Sequence, residues 1–352
     1  MAGIDFTQFN FGPEQIRNIN ELIMEQIVEA PELRVLHTVY PGVASGKYIG
    51  FIGEGGLVGI KGQGCDPQPQ DWTVPANQKL CDPKPWEVLL KECAKDLENT
   101  MVIYSMNKGV DRADLTETDY MSIVVDVLTK VIKKAIWRMV WFNDTDAENI
   151  SGGGIITNGV DLKYFDILDG LWKQIFAAVP SGSAQRVNIA ANAAATYSDQ
   201  RSQLTGLMVY NALENMYYNA GMKLRQDPGL MFACTQSFAD GYCKYLQGKD
   251  LEATFINVID GVQALKFNNI PVVAIPLWDE MIQMYEDNGS KWNNPHRCIL
   301  TSPENLAIGV PDTDALTTVD VWYDKTTRFN YMYAADSIDA LLLDEKRIML
   351  AI

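Results

Sequence analysis

The sequence has no long apolar run and few of the residues that usually build reactive sites. Its 352 residues are 47% hydrophobic and 21% charged, and no stretch approaches the ~20 consecutive apolar residues of a membrane-spanning helix. The first ten residues lack a basic cluster followed by an apolar segment, so no signal peptide is predicted. Only two histidines occur, His37 and His296. We therefore expect no membrane partner and a globular chain long enough for two folded lobes.

Lysine and arginine are scarce relative to acidic residues. The chain has 29 Lys plus Arg against 45 Asp plus Glu, which gives a net charge of −16. Proteins bind phosphate backbones through Lys and Arg side chains that release counterions. Direct nucleic-acid binding is therefore not expected, although such a protein can enclose nucleic acid without holding it.

Motifs for catalysis, metal binding and nucleotide binding are missing. The histidines have no metal-ligand spacing, and the six scattered cysteines, which form no Cys-x-x-Cys pair, are interpreted as reduced thiols. Gly42–Gly46 has the wrong spacing for a nucleophile elbow, and the glycines after Gly53 are not followed by the Gly-Lys-Ser/Thr of a phosphate loop. We therefore predict no catalytic residue, no cofactor and no metal. A soluble acidic enzyme that uses buried carboxylates stays an alternative, because carboxylate pairing depends on three-dimensional distance.

Acidic residues cluster in the segment Asn143–Glu148, which reads Asn-Asp-Thr-Asp-Ala-Glu. Alternating carboxylates can ligate calcium, a cation that prefers oxygen donors. The full twelve-residue calcium-loop pattern is absent, so we predict a solvated turn.

The first 85 residues predict two projecting segments. Isoleucines recur at helical spacing over residues 16–27, which indicates a helix packed on its own domain or, as an exchanged arm, on a neighbouring subunit. From Gly42 to Pro85, glycines and prolines interrupt short strand-like pieces. This composition predicts a long exposed hairpin at about Gly46–Gly64 with little core of its own.

The strongest helical pattern covers Thr118–Phe142. Its predicted apolar stripe consists of Val124, Leu128, Val131, Ala135, Met139 and Phe142. Lys130, Lys134 and Arg138 fall on one line of the helix surface. This basic row indicates either a solvated helix face or a contact with an acidic neighbouring subunit.

The rest of the chain mixes helices and strands. Helices are predicted near residues 165–175, near 207–217 and at Cys234–Leu246. Leu265–Ile275 predicts a turn that leads into a buried strand. The remaining predicted strands are Arg297–Thr301, Val319–Tyr323, Phe329–Ala334, Ala340–Leu343 and Ile348–Ile352.

This order of elements resembles the major capsid proteins of tailed bacteriophages, whose Hong Kong 97-like fold is shared with encapsulin shells. The segments that carry the resemblance are Tyr48–Lys61, Thr118–Phe142, Phe267–Val273, Arg297–Gly309, Phe329–Asp336 and Asp344–Arg347. Residues 155–225 match that pattern poorly, so an insertion or a diverged lobe is expected there.

The resemblance implies an α+β fold of four parts. These are an N-terminal arm (1–42), an extended hairpin loop (43–85), a peripheral domain (86–155 and 318–336) with a spine helix at 118–142, and a mixed axial domain (156–317 and 337–352).

The resemblance also implies a structural protein rather than an enzyme. We expect it to self-assemble into the hexamers and pentamers of an icosahedral-type shell, made in the host cytoplasm, that encloses viral DNA in the virion. Separate scaffolding, portal or decoration proteins are expected partners. The candidate inter-subunit contacts are Tyr48, Phe51, Leu57, Lys61, Lys130, Lys134 and Arg138. An encapsulin-like compartment with protein cargo is the alternative of the same fold.

Two further expectations concern covalent processing. Members of that family often carry an N-terminal scaffolding segment that a protease removes, and none is expected here because the foldable part starts almost at once. Some relatives join subunits by an isopeptide bond between a hairpin lysine and an asparagine, with a carboxylate as base. Lys47, Lys61, Asn330 and Asp336 are the corresponding candidates. Because the reaction needs a desolvated lysine of lowered pKa, we predict non-covalent shells.

Overall fold

The fold is seen in a computed structural model that describes residues 31–44, 46–52, 58, 73–93, 114–116, 119–147, 162–249, 256–257, 263–312 and 318–352. Most of the predicted N-terminal arm lies outside these residues. The α-helices are α1 Asp119–Phe142, α2 Leu171–Ala178, α3 Tyr197–Gln203, α4 Gly206–Asn219, α5 Met222–Arg225, α6 Gln236–Gln247 and α7 Pro276–Tyr285. The strands are β1 Thr38–Tyr40, β2 Lys47–Ile52, β3 Ala76–Cys81, β4 Lys84–Glu92, β5 Arg186–Val187, β6 Met231–Cys234, β7 Ile256–Asn257, β8 Gln263–Phe267, β9 Ile270–Ala274, β10 Cys298–Thr301, β11 Leu306–Gly309, β12 Asp320–Asp324, β13 Phe329–Leu342 and β14 Met349–Ala351.

One long strand organises the first sheet. Strand β13 runs without a break from Phe329 to Leu342 and pairs with β12, β4 and β11 in antiparallel fashion. The sheet order is β1-β11-β13-β12, with β4 also paired to β13. The prediction of two separate strands, Phe329–Ala334 and Ala340–Leu343, was wrong, because residues 335–339 continue the same strand. The alternating burial continues on both sides of these residues.

The second sheet has seven strands in the order β5-β14-β10-β6-β9-β8-β7. All four residues of β6 and of β10 are buried, as expected for central strands covered on both faces. Side chains alternate between two hydrophobic cores, with Met231 and Ala233 in one and Phe232 and Cys234 in the other. The predicted helix at Cys234–Leu246 therefore began too early, because the short apolar run before it forms β6.

A tight turn joins β8 to β9. Asn268 and Asn269 both have positive φ, 49° and 66°, as a type I′ hairpin turn requires. The predicted turn is confirmed, but it connects two strands rather than only leading into one.

The long helix is confirmed as α1, and Val124, Leu128, Met139 and Phe142 of the predicted stripe are buried. Met121, Val124, Leu128, Ile132 and Ile136 are buried, whereas Val131 is 47% exposed. The final six residues, 137–142, are buried almost all round because the helix runs between α2 and β13. This helix is therefore a central packing element of the first core.

A buried ion pair ties the loop after α7 to α2. Arg297 and Glu286 are both fully buried and hydrogen-bonded to each other. The Arg297 guanidinium also donates to the carbonyl oxygens of Asn293 and Asn294, and it lies 4.9 Å from the Trp172 ring centroid. These hydrogen bonds offset part of the desolvation cost of the two charges.

Candidate inter-subunit surfaces

A two-stranded hairpin forms the candidate contact segment. Strand β2 pairs antiparallel with β3, which places Tyr48 opposite Leu80 and Ile52 opposite Ala76. Both strands fall within the predicted hairpin loop 43–85, although the return strand β3 follows Pro75 and lies beyond the Gly46–Gly64 segment. Strand β3 reads Ala-Asn-Gln-Lys-Leu-Cys, which has few of the branched and aromatic residues that signal a strand in sequence.

The two faces of this hairpin have different environments. On one face, Lys79 donates from Nζ to the Leu342 carbonyl oxygen at 2.6 Å and pairs with Glu345 at 3.3 Å. On the other face, Tyr48 is 59%, Leu80 46% and Ile52 79% exposed. The hairpin therefore contacts its own subunit through one face and leaves an apolar outer face uncovered by the described residues.

The hairpin is fixed firmly at its root. Cys81 is fully buried, and a Cβ built on Gly309 would lie 2.1 Å from its Sγ atom. The Asp82 backbone N–H donates to the Asp339 carboxylate at 2.7 Å. Burial raises the pKa of Asp339 and, with the neighbouring Asp339 carboxylate, raises the pKa of the Cys81 thiol to about 12. Only glycine fits at position 309 beside Cys81, which shows that the root of the hairpin packs closely against β11.

The predicted hairpin contacts are only partly described. Tyr48 lies on the exposed face. The backbone of Phe51 lies in β2, and its side chain is outside the described part of the chain. Leu57 and Lys61 lie outside the described residues altogether. Of the four, Tyr48 alone has a side chain whose environment can be given.

The predicted basic row on α1 is not a continuous solvent-facing line. Lys130 is exposed and has no ion pair with a described residue. Lys134 pairs instead with Glu280 of α7, with both side chains about one-fifth exposed. Lys134 is therefore engaged within its own subunit, whereas Lys130 stays exposed.

The Arg138 side chain packs against two aromatic rings of the same chain. Its guanidinium lies 5.2 Å from the Phe165 ring centroid and 5.7 Å from that of Tyr164. Burial lowers the pKa of Arg138, and a hydrogen bond with Tyr285 opposes that shift. The helical periodicity of the sequence correctly placed Lys130, Lys134 and Arg138 on one side of α1. It could not show that α7 and residues 164–165 pack over Lys134 and Arg138.

The acidic segment after α1 surrounds a lysine. The Lys173 ammonium lies 2.6 Å from Asp144, 2.6 Å from Asp146 and 2.8 Å from Asp169. Although burial lowers the pKa of Lys173, hydrogen bonds with these carboxylates outweigh that effect and raise it. The predicted solvated turn was wrong for Asp144, whose side chain is 5% exposed. The Lys173 ammonium thus supplies a positive charge among these three carboxylates.

A serine, a histidine and an aspartate meet at the start of α6, which bears on the enzyme alternative. The Ser237 hydroxyl lies 2.8 Å from His296 Nδ1, and His296 Nε2 lies 3.0 Å from the Gln200 carbonyl oxygen. Asp279 accepts from the backbone N–H groups of Gln236 and Ser237, and burial raises its pKa to about 6. The Asp279 carboxylate thus caps the N-terminus of α6.

Metal sites and membrane spans were also sought in the ranges given above. Within them, no group of three or more His, Cys, Asp or Glu side chains is arranged to hold a metal ion. No helix among them has the length and apolar character needed to cross a bilayer.

The candidate cross-linking asparagine is deeply placed. Asn330 is fully buried within β13, and its amide oxygen accepts the Leu115 backbone N–H at 2.9 Å. In the single subunit, a lysine from outside could therefore reach the Asn330 amide only if the residues that cover it moved.

The fold is similar to solved structures from bacteriophages. The structure described as Gordonia phage Cozz has 12% sequence identity and a TM-score of 0.56, over 96% of this chain and 90% of that chain. Mycobacterium phage Ogopogo has 9% identity and a TM-score of 0.52, over 96% of both chains. The holo-SrpI encapsulin complex from Synechococcus elongatus has 9% identity and a TM-score of 0.49, over 96% and 95%. No protein-family model and no curated protein matches the sequence.

Proposed function

We propose that this chain, which has the Hong Kong 97-like fold, is the major capsid protein of a tailed bacteriophage. Its copies assemble into the hexamers and pentamers of a closed shell. The observation that carries this proposal is the apolar outer face of the hairpin, formed by Tyr48, Ile52 and Leu80. The similarity to phage structures, at 9–12% sequence identity, supports the fold. The exposed apolar surface supports the function.

The exposed face needs a covering surface. A two-stranded hairpin is at best marginally stable alone in water, and this one has only one face on its own subunit. Fully burying an aliphatic or aromatic side chain contributes about 1.5–3 kcal/mol, and the three side chains of the outer face are 46–79% exposed. A second copy of the chain, which a shell supplies at every position, would recover much of that free energy.

The charge of the chain supports enclosure of DNA without binding to it. A subunit with a net charge of −16 repels a phosphate backbone within the Debye length, about 8 Å at physiological ionic strength. Packaged DNA would therefore not adhere to the shell. The described cysteines at positions 81, 93, 234, 243 and 298 are free thiols, which fits assembly in the reducing host cytoplasm.

The proposal extends to partners and domain roles. The parts named above as arm (1–42), hairpin loop (43–85), peripheral domain (86–155 and 318–336) and axial domain (156–317 and 337–352) are proposed as the functional units of the subunit. Separate scaffolding, portal or decoration proteins would complete the particle. In an encapsulin-like compartment the same shell would contain protein cargo, and the nucleic-acid content of native particles distinguishes the two.

The test uses the hairpin face in the purified full-length protein. We expect the wild type to form megadalton particles, seen by sedimentation velocity and electron microscopy. Leu80→Asp should remain folded but fail to close shells, because it places a charge on the outer face. Leu80→Met is the matched control and should assemble normally. If Leu80→Asp assembles like the control, the hairpin face is not the contact, and if the wild type stays a small oligomer, the shell function is wrong.

A further inference from the structure

Two buried cysteines face each other across the centre of the second sheet. Cys234 is the last residue of β6, Cys298 is the first residue of β10, and the two are register partners in this antiparallel pair. Both side chains are fully buried in the core that also contains Phe232, and both are free thiols. Residues directly opposite each other on antiparallel strands project to the same face of the sheet, so the two sulfur atoms are neighbours.

The backbone hydrogen bonds around the two cysteines show which kind of strand pair they form. In an antiparallel ladder, pairs that exchange backbone hydrogen bonds alternate with pairs that do not. The Thr235 N–H donates to the Arg297 carbonyl oxygen at 3.0 Å, so the adjacent pair is the hydrogen-bonded one. The Cys234 carbonyl oxygen accepts the Ile275 N–H at 2.9 Å instead. Cys234 and Cys298 therefore form a non-hydrogen-bonded pair, in which side chains lie closest.

The spacing of such a pair fits a disulfide bond. Residues in non-hydrogen-bonded pairs have Cα atoms about 4.5 Å apart, within the range of about 4.4–6.8 Å for disulfide-bonded cysteines. Cys234 Sγ lies 3.6 Å from the Val273 carbonyl oxygen, and Cys298 Sγ lies 3.9 Å from that of Ile299. Because thiols are weak donors and both distances are long, no strong hydrogen bond opposes a rotation of the two sulfur atoms toward each other.

Burial protects the two thiols in the native subunit. Burial above all, then the hydrogen bond and charge of the neighbouring Cys234 sulfur, raises the pKa of the Cys298 thiol well above its usual value. Since the thiolate is the reactive form, native Cys298 reacts slowly with oxidants. An oxidant reaches the sulfur atoms when β6 and β10 separate in a local opening of the sheet, and closure of the sheet places the two atoms side by side again.

We propose that Cys234 and Cys298 are a disulfide site that a small peroxide converts into a covalent link between β6 and β10. One thiolate attacks a peroxide oxygen, which breaks the O–O bond, gives a sulfenic acid and releases hydroxide. The second thiol then attacks that sulfur atom, and its hydroxyl group leaves as water. In total the two cysteines lose two electrons and two protons, and hydrogen peroxide is reduced to two water molecules. The reaction takes place within one subunit, so it does not depend on the proposed shell function.

The link would stabilise the second sheet at its centre. All residues of β6 and β10 are buried, and the bond would close the segment 235–297, which contains α6, β8, β9 and α7. A disulfide that closes a long segment stabilises chiefly by restricting the unfolded chain. The same burial shields the bond from reductants. A subunit made with reduced thiols would therefore become harder to unfold after it enters an oxidising medium.

The experiment treats the reduced full-length protein with hydrogen peroxide in urea below the onset of global unfolding, which increases local opening. The remaining thiols are alkylated, and the digested protein is analysed by mass spectrometry. We expect one pair of peptides joined through Cys234 and Cys298, which a reductant separates. The urea midpoint of unfolding should be about 1 M higher for the oxidised than for the reduced protein.

Two variants distinguish this pair from oxidation elsewhere. Cys234→Ala removes one partner, and Cys243→Ala is the matched control, because Cys243 is a partly buried cysteine on α6 outside the pair. Oxidation should raise the midpoint of Cys243→Ala as in the wild type and leave that of Cys234→Ala unchanged.

The mass measurement on the wild type decides the pairing even if Cys234→Ala does not fold. The proposal is overturned if Cys234 and Cys298 are alkylated separately after oxidation, if either carries a sulfinic acid, or if either is joined to another cysteine. It is also overturned if the linked protein has a urea midpoint no higher than that of the reduced protein.

Discussion

Acidification should weaken the docking of residues 31–37 on the spine helix through one histidine. His37 is 2% exposed, and its ring centroid lies 5.4 Å from those of Trp137 and Trp141. Its Nδ1 lies 2.7 Å from the Leu33 carbonyl oxygen, and its buried Nε2 has no hydrogen-bond partner among the described residues. Burial, opposed in part by the hydrogen bond to Leu33, lowers the pKa of His37 from 6.5 to about 4.

The pKa difference sets the sign and size of the effect. The unfolded chain takes up a proton below pH 6.5, whereas the folded chain does so only below pH 4, so the free energy of unfolding falls as the pH decreases between these values. A shift of about 2.5 pKa units corresponds to about 3 kcal/mol. Above pH 6.5 the histidine is neutral in both states, and it contributes no pH dependence.

The assay compares urea unfolding of the unassembled wild-type and His37→Phe proteins at pH 7.5, 6, 5 and 4.5. Other groups, including Asp279 with its raised pKa, affect both proteins equally, so the difference in pH dependence isolates His37. We expect the wild type to lose about 2–3 kcal/mol more than the variant between pH 7.5 and 4.5. Parallel pH profiles would refute the assignment of a neutral, buried His37.

Three further outcomes follow from the same structure. Replacing residues 48–80 by Asn-Gly, a two-residue turn that joins the paired positions Lys47 and Cys81, should leave a folded subunit that forms no closed shell; normal shells by electron microscopy would contradict the hairpin contact. Lys130→Gln should slow assembly at low salt and should have a smaller effect at high salt, because an exposed ion pair contributes only about 0–1 kcal/mol. If light scattering shows equal assembly kinetics for the variant and the wild type, Lys130 makes no inter-subunit contact. Glu286→Gln should destabilise the subunit by about 3–5 kcal/mol in urea, since it leaves a buried guanidinium without its counter-charge, and a loss below 1 kcal/mol would show that Arg297 does not depend on this partner.

Covalent state is tested separately. Assembled particles boiled in detergent should give a single band at 39.3 kDa, because Asn330 is buried. A ladder of covalent multimers would show that a lysine reaches this or another asparagine in the shell.

Parts of the fold could be predicted where the periodicity of the sequence matches the secondary structure. The 3.6-residue periodicity identified α1 to within one residue of its start, and the order of hairpin, helix and terminal strands indicated the fold. The exposure of Val131 could not be predicted, since a helix stripe drifts and its buried side depends on where α2 and β13 pack. Strand β13 was predicted as two strands, since the local pattern did not show that residues 335–338 pair with β4 and that residue 339 pairs with β11.

The candidate contacts were harder to predict than the fold. Tyr48 was expected to be exposed, but its neighbour Leu80 was missed because β3 has a weak strand signal. Lys134 and Arg138 were placed on the correct helix line, yet their partners come from α7 and from residues 164–165. The ammonium of Lys173 among three aspartates has no sequence signature, because the four residues approach one another only through the packing of α2.

The central claim is that the apolar hairpin face is covered by another copy of the same chain in a closed shell. Cryo-electron microscopy of the purified protein tests this most directly. The account predicts megadalton icosahedral-type particles in which Tyr48, Ile52 and Leu80 of each subunit are buried against a neighbouring subunit. Closed particles with this face open to solvent, or a protein that remains a monomer, would contradict it.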